Sequence, residues 1–490
     1  MNETILIAEN DSVLVALSDL EKGKSYAGVT ALEDIRRGHK MAVRDIKAGE
    51  KVIKYGFPIG IALSPIPAGS HVHTHNLKTA LSEEAEYIWQ PAKLPVPEKK
   101  EGSFMGFLRR DGRAGVRNGI WILPTVACVN GIAKQLEKLA APLLTGSADG
   151  VYAFCHPYGC SQLGDDQENT RRVLARLACH PNAGGVLVLG LGCENSGVST
   201  VLEHMEAYDR ERVRFLVCQD AEDELAAGLD ILKELIAKAA ADERVPLPLS
   251  MLTVGLKCGG SDGLSGITAN PVIGRFSDRL CACGGTAILT EVPEMFGAET
   301  LLMARCETEE LFQKTVELIN SFKRYYTESG LPVYENPSPG NKAGGITTLE
   351  DKSLGCTQKS GTSAVRGVLD YAQSVQEKGL NLLCAPGNDL VAATALAASG
   401  AQIVLFSTGR GTPFSAPVPT LKIATNTPLA EKKHGWIDFN AGRLITEDLT
   451  LEQLGEELLE KVRRTAEGEK TQAEINECPD MAIWKSGVTL

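Results

Sequence analysis

The chain has 490 residues, room for about three domains of ordinary size, so a lone small binding module is excluded. Asp plus Glu (62) outnumber Lys plus Arg (50), and the net charge of −12 offers no general attraction to nucleic acid or anionic lipid. Gly is 49 of 490 while aromatics are 5%, a bias toward tight turns and close backbone approach to a ligand, as in an enzyme rather than a scaffold.

The first ten residues, MNETILIAEN, carry no basic region and are not read as a secretory signal. Short apolar runs then alternate with a recurring turn: DLEKG at Asp19, DIRRG at Asp34, DIKAG at Asp45 and PIPAG at Pro65. Glycine in each permits the positive φ that lets a strand reverse. Residues 1–90 are therefore expected to form a small β-rich domain. It ends in HVHTHNL, and a stretch with Pro91, Pro95 and Pro97 reads as a linker over 91–103.

From residue 104 the pattern becomes strand–helix alternation. GIWILPTV, VYAF, GVLVLGL and VRFLV read as strands, with helices such as NTRRVLARLA and one from Ala221 to about Asp242 between them. Runs buried on both faces predict a parallel, doubly wound sheet over 104–247, with Pro246 and Pro248 marking a boundary. The pattern restarts over 248–490 with MLTVGLKC, TAILTEV, LNLLCA and AQIVLFS. Gly330 to Thr362 lacks periodicity and is expected to be a long substrate-contacting loop. The fold class is thus α/β: a small β domain followed by two α/β domains with mainly parallel sheets.

Polar residues cluster where these strands end: CHPYGCSQLGDD, GLGCEN, KCGGSDGLSG, TEVPEMFG, CAPGND and STGRGTP. Ligands of open α/β sheets bind outside the carboxyl ends of strands. The set points to an active site, although ordinary βα turns also favour Gly and Asp. His71, His73 and His75 alternate along the chain, which in an extended strand puts three imidazoles on one face. Such a face suits a divalent metal or acid–base work, against the blander reading of a solvent-facing strand. Cys160, Cys193, Cys258 and Cys356 each sit in a Gly-rich loop and offer thiolates, without any compact CxxC pair. Arg113, Arg117, Lys342, Lys352 and Arg410 are candidate anchors for an anionic substrate.

Dinucleotide, phosphate-loop and HExxH signatures are missing from the sequence, so NAD, nucleotide and zinc-protease chemistry are disfavoured. The longest apolar runs are about half the ~18 residues needed to cross a bilayer. The 13 cysteines fit reduced thiols in the cytoplasm.

The motifs GCSQLGDD, HPNAGGVLVLGLGCEN, CGGSDGLSGITANP, TEVPEMFGAE, ENPSPGNKAGGITTLEDKSLGCTQK, APGND and FSTGRGTP, together with HVHTHN and the terminal KSGVTL, resemble the altronate/galactarate dehydratase family. The likeness runs in order from about Ile5 to Leu490 and is greatest to altronate dehydratase; galactarate dehydratase and sulfolactate sulfo-lyase subunits look more distant. It implies an N-terminal SAF-type β domain and conversion of D-altronate to 2-dehydro-3-deoxy-D-gluconate in galacturonate catabolism. Fe(II) would be the activating metal, with Mn(II) as substitute and an iron–sulfur cluster as the weaker alternative. Such chemistry needs a base for the C2 proton, an acid for the C3 hydroxyl and a means of holding the carboxylate. Asp165, Asp262 and Glu291 are the expected acid–base groups. Arg117, Asn118, Lys342, Asn388, Asp389, Arg410 and Thr412 would hold the sugar acid. His71, His73, His75, Cys160, Cys193, Glu194 and Cys258 would be ligands of the metal or groups beside it. The expected partner is a small sugar acid, with no nucleic acid or membrane; a homodimer is compatible with this reading. A different sugar-acid or sulfo-lyase, and a non-catalytic sugar-acid sensor, are the alternatives.

Overall fold

The structure is a computed structural model that describes residues 3–81, 84–94, 98–205 and 207–490. Strands Thr4–Ile5, Val13–Ala16, Lys40–Ala42 and His71–Val72 form a four-stranded antiparallel sheet. A second sheet of Lys51–Lys54, Phe57–Ala62 and Leu77–Lys78 lies beside it. The recurring turns pair two by two: Leu20 bridges Ile35 and Ile46 bridges Ile66, each antiparallel. All four are buried, which explains the apolar residue before each turn glycine. Gly23, Gly38, Gly49 and Gly69 have φ between +79° and +85°, the left-handed region that favours glycine.

The segment read as a linker is docked rather than free. Within it the Ala92 N–H bonds the Ala304 carbonyl (2.8 Å) and the Lys100 N–H the Ala282 carbonyl (3.0 Å); just before it, Tyr87 donates to Glu299 (2.6 Å) and Trp89 stacks on Phe312. The aromatic residues leading into it cover an apolar surface, so the chain runs along the C-terminal unit. Pro95 and Pro97 lie outside the described residues.

The middle unit has a four-stranded parallel sheet of β1 (Gly119–Pro124), β2 (Val151–Ala153), β3 (Ala183–Gly190) and β4 (Val213–Val217) in the order β2-β1-β3-β4. β3 is buried along its whole length, as a strand covered by helices on both faces must be. Pro246 and Pro248 do not simply mark a boundary: Val245–Pro248 is a strand pairing antiparallel with Ser103–Leu108. Proline is tolerated there because this is the edge of a three-stranded sheet.

The C-terminal unit holds seven parallel strands: β5 (Thr253–Cys258), β6 (Thr286–Leu289), β7 (Val365–Leu369), β8 (Gly379–Leu383), β9 (Ile403–Thr408), β10 (Thr420–Ala424) and β11 (Phe439–Asn440). The order β7-β8-β6-β5-β9-β10-β11 places the reversal of chain direction between β5 and β9. A crevice outside the strand ends at that switch point is where open α/β sheets bind ligands.

Gly330 to Thr362 is not a loop. It contains helices Pro339–Ala343 and Leu349–Cys356 and a 3₁₀ turn, Thr357–Ser360. Every residue of LEDKSLGC is buried, so this helix has no solvent face and shows no amphipathic period.

Candidate active site

β5 carries a lysine into a strand that is otherwise apolar and buried. Lys257 Nζ donates to Glu291 Oε1 (2.7 Å), Asp389 Oδ1 (2.8 Å) and the Cys258 carbonyl (3.0 Å). Glu291 follows β6 and has φ of 70°, a left-handed conformation costly for a residue with a Cβ. The strain is held by two bonds that lash the ends of β5 and β6 together: Lys257 to Oε1, and the Cys258 N–H to Oε2 at 2.8 Å. Asp389, at the first turn of the helix Asp389–Ala398, is the partly exposed end of this chain of contacts.

The buried helix and 3₁₀ turn then supply Lys352, Cys356 and Lys359. Cys258 Sγ lies 3.3 Å from Cys356 Sγ and 3.0 Å from Glu294 Oε2, with Cys356 Sγ to Glu294 Oε2 at 3.2 Å. Lys359 Nζ stands 2.8 Å from Cys258 Sγ, and Lys352 Nζ 2.6 Å from Glu294 Oε1. Three ammonium groups (Lys257, Lys352, Lys359) thus meet three carboxylates (Glu291, Glu294, Asp389) and two thiols. Charge is compensated within the cluster, as burial demands.

The two glutamates are driven apart. Burial raises Glu291, and the charge of Glu294 adds to the effect. Burial would raise Glu294 too, but Lys352 and Lys359 outweigh it and hold that carboxyl well below its ordinary range. Cys356 is pushed up by its hydrogen bond with Cys258 and by burial. Carboxyls with opposed shifts in one site divide into a proton carrier and a standing anion.

The β domain closes on this unit. Lys40 and Lys54 share Asp351, at 2.8 and 2.9 Å, with all three side chains at most 1% exposed. A Cβ on Gly263 or Gly345 would collide with the Gly38 carbonyl, so the turn seats directly against glycine backbone. Ser261, Asp262, Lys54, Tyr55, Lys352 and Cys356 line a narrow cleft at this junction. Ser261 Oγ is buried there without a hydrogen-bond partner among the described residues.

The extended strand ends at Val72, and His73 to His75 lie in a turn, so the three histidines do not alternate on a strand face. Imidazoles still gather, with His39 as the addition. The register Met41↔His71 and Lys40↔Val72, continued one step, sets His39 opposite His73. Ring centroids are 5.0 Å (His39–His71), 5.1 Å (His39–His73) and 5.3 Å (His71–His73) apart. Their nitrogens are largely committed: His73 Nε2 to the Lys342 carbonyl (2.8 Å), His39 Nε2 to Ala343 (3.3 Å), and His39 Nδ1 to His71 Nε2 (2.9 Å). Burial lowers His39 to about 4 and His71 to about 3. Through the Lys342 and Ala343 carbonyls the imidazoles seat the β domain on the Pro339–Ala343 helix. His75 is exposed and touches His71.

The remaining residues separate by location. Cys258, Glu291 and Asp389 lie in the buried cluster. Asp262 is nearby but accepts from Thr425, Asn426, Ser265 and Leu264, which leaves it a joint between loops. Asn388 caps the helix after β8 by accepting from Val391 N–H. Lys342 is partly exposed, and Arg410, also exposed, bonds the Gly340 carbonyl; Thr412 is partly exposed beside it. Arg117 and Asn118 do not reach the site. They precede β1, at the amino end of its sheet, where Arg117 forms a bidentate pair with Glu474 and Asn118 bonds the Ala239 carbonyl. Asp165 is exposed on the first turn of Gly164–Ala178. Cys160, Cys193 and Glu194 belong to the middle unit; Glu194 turns inward to accept from Thr125, Leu191 and Gly192. Lys257, Glu294, Lys359 and His39 were not singled out from sequence. A lysine inside an apolar strand was the signal for Lys257, because a buried ammonium requires a partner.

Cys258 Sγ, Cys356 Sγ and Glu294 Oε2 all lie within 4.8 Å of one another. Two sulfurs and one carboxylate oxygen fit a borderline ion such as Fe(II), and deprotonating both thiols would match its charge. Mn(II), which prefers oxygen donors, fits this set less well.

A cluster of paired lysines and carboxylates buried at the carboxyl ends of a parallel sheet lies where α/β enzymes bind their ligands. Sequence comparison names the family. The chain belongs to the altronate/galactarate dehydratases: residues 2–80 match the altronate/galactarate dehydratase SAF domain, 106–240 the D-galactarate dehydratase/altronate hydrolase second domain, and 249–489 the D-galactarate/altronate dehydratase C-terminal domain. It is 53% identical to the altronate dehydratase of Bacillus subtilis over 100% of both chains. With that of Escherichia coli it shares 54% over 98% of each. Identity to the galactarate dehydratase (L-threo-forming) of Escherichia coli is 33%, over 95% of this chain and 93% of that one. The chain is therefore a sugar-acid hydro-lyase.

Proposed function

We propose that this enzyme converts D-altronate to 2-dehydro-3-deoxy-D-gluconate and water in galacturonate catabolism. The observation that carries the substrate is the full-length identity of 53–54% to proteins named altronate dehydratase, against 33% to the galactarate enzyme. The buried cluster supplies the chemistry.

In this reading Lys257 and Lys352 attract the substrate carboxylate to the carboxyl ends of β5 and β6, and Ser261 hydrogen-bonds a hydroxyl of the polyol. Glu291, raised by burial, takes the C2 proton. The C2–H pair forms the C2–C3 double bond as the C3–O bond breaks, and the departing hydroxyl takes a proton from the Lys359 ammonium. Water leaves, and the enol becomes the 2-keto acid by gaining a proton at C3. Fe(II), held by Cys258, Cys356 and Glu294, would act as a Lewis acid that spreads charge developing beside the carboxylate. Asp389 connects Lys257 to the surface for proton return. Lys342, Asn388, Arg410 and Thr412 border the same end of the unit and extend the polyol contacts. The thirteen free cysteines fit a reducing cytoplasm, and no described helix is long and apolar enough to cross a membrane.

The test is a keto-acid assay on altronate, galactarate and sulfolactate with added Fe(II). Fastest turnover of altronate is expected; faster turnover of another acid, or no 2-keto product, overturns the assignment.

A further inference from the structure

The proposed reaction leaves one group of side chains unused: the thiols at the carboxyl end of the middle sheet. Five cysteines follow its strands: Cys128 after β1, Cys155 and Cys160 after β2, Cys193 after β3, and Cys218 after β4. They sort into two kinds. Cys155 and Cys218 pack against the apolar core beneath the sheet, and burial pushes both thiols up. Cys128, Cys160 and Cys193 are exposed, unusual for a residue type that is generally buried.

Three neighbouring loops hold the exposed thiols. The Ala127 N–H bonds the Tyr158 carbonyl at 2.9 Å, tying the Cys128 loop to the Cys160 loop. The Ser196 N–H bonds the Gly159 carbonyl at 3.0 Å, and Cys160 Sγ lies 3.5 Å from Asn195 Oδ1, tying the Cys160 loop to the Cys193 loop. Gly159, with φ of 102°, lets the middle loop lie against the backbone of Thr125 and Val126, where a Cβ would collide. Glu194 points inward and pins its loop through three hydrogen bonds, leaving Cys193 on the outside. Gln219 Nε2 sits 3.6 Å from Cys193 Sγ, an N–H aimed at sulfur of the kind that tunes a metal-bound thiolate.

We propose that Cys128, Cys160 and Cys193 bind a [4Fe–4S] cluster as three thiolates, leaving one iron open to water or to an oxygen donor such as a hydroxy acid. Four thiolates hold such clusters in electron carriers; three exposed thiols from three adjacent loops leave the fourth position vacant. The site is separate from Cys258 and Cys356, which belong to the C-terminal unit.

Full-length protein would be reconstituted anaerobically with equal parts ferrous and ferric iron plus sulfide, which balances as two Fe(II), two Fe(III) and four sulfides for a cluster of charge +2. The expected result is about four iron and four acid-labile sulfide per chain, with broad visible charge-transfer absorbance. Serine at Cys128, Cys160 or Cys193 should each abolish sulfide binding. Cys155→Ser, Cys218→Ser and Cys258→Ser should retain it. Circular dichroism checks that each variant folds, and Cys258→Ser lowers turnover without touching the cluster, so the two iron assignments fail separately. Iron without sulfide in the wild type, or sulfide retained in all three exposed-thiol variants, overturns the proposal.

Discussion

Asp351→Asn is the most direct test of how the β domain is held over the buried cluster. Asp351 is the carboxylate between Lys40 and Lys54, and both ammonium groups lie within 2.9 Å of it with at most 1% exposure. Asparagine keeps the volume and an oxygen for the Thr347 N–H, now 3.0 Å from Oδ2. It leaves two buried positive charges facing each other without an anion. Breaking a buried pair from one side costs about 3–5 kcal/mol, a factor of roughly a hundred to several thousand in the ratio of docked to undocked protein. Hydrogen exchange of Lys40–Ala42, read beside altronate turnover, measures it: exchange should accelerate and turnover should fall together. Exchanging all three residues, Lys40→Met, Lys54→Met and Asp351→Leu, should restore most of the protection, because an apolar trio needs no desolvated charge. The pH dependence has a definite sign. Lys40 and Lys54, outweighing burial, hold Asp351 well below its ordinary value of 3.8. Its contribution is therefore present above that value and is lost as pH falls below it. The Asn variant should lack that acid limb. Unchanged exchange in Asp351→Asn would refute the argument.

Glu291→Gln should lower kcat by about 10²–10⁴ with little change in KM, and should remove the limb of the pH–rate profile on which activity rises as Glu291 ionises; wild-type kcat would displace it from the reaction. Cys258→Ser and Cys356→Ser should each reduce tightly bound iron in the C-terminal unit, measured by metal analysis after dialysis without sulfide, while Cys281→Ser should not. Arg117→Ala removes the bidentate partner of the nearly buried Glu474, so stability should fall by about 3 kcal/mol while KM for altronate in folded protein holds. A raised KM with unchanged melting would instead place Arg117 at the substrate.

Much of the architecture is local in origin and could be read without a structure. Strands such as VLVLG are apolar on both faces because helices cover both, and the DxxxG turns require glycine because φ is positive there. Family membership, too, rests on motifs visible in the chain. The helix Leu349–Cys356 escaped notice because it is buried all round, which erases the period that reveals surface helices. The site was legible only in pieces. Strand-end loops identified Cys258, Glu291 and Asp389 as candidates, since those ends converge in any parallel sheet. Which ends share a crevice depends on strand order, and β5 lies beside β6 and β9 through crossovers that no local spacing encodes. Arg117 shows the reverse error: its polar, Gly-rich surroundings resemble those of a ligand loop, yet it precedes its strand and lies at the wrong end of the sheet. His39 joins His71 and His73 through antiparallel register across 32 residues. By itself the sequence determined the strands, the turns and the family. The tertiary fold decided which lysines, carboxylates and thiols meet, because that follows from strand order, register and domain docking over long separations.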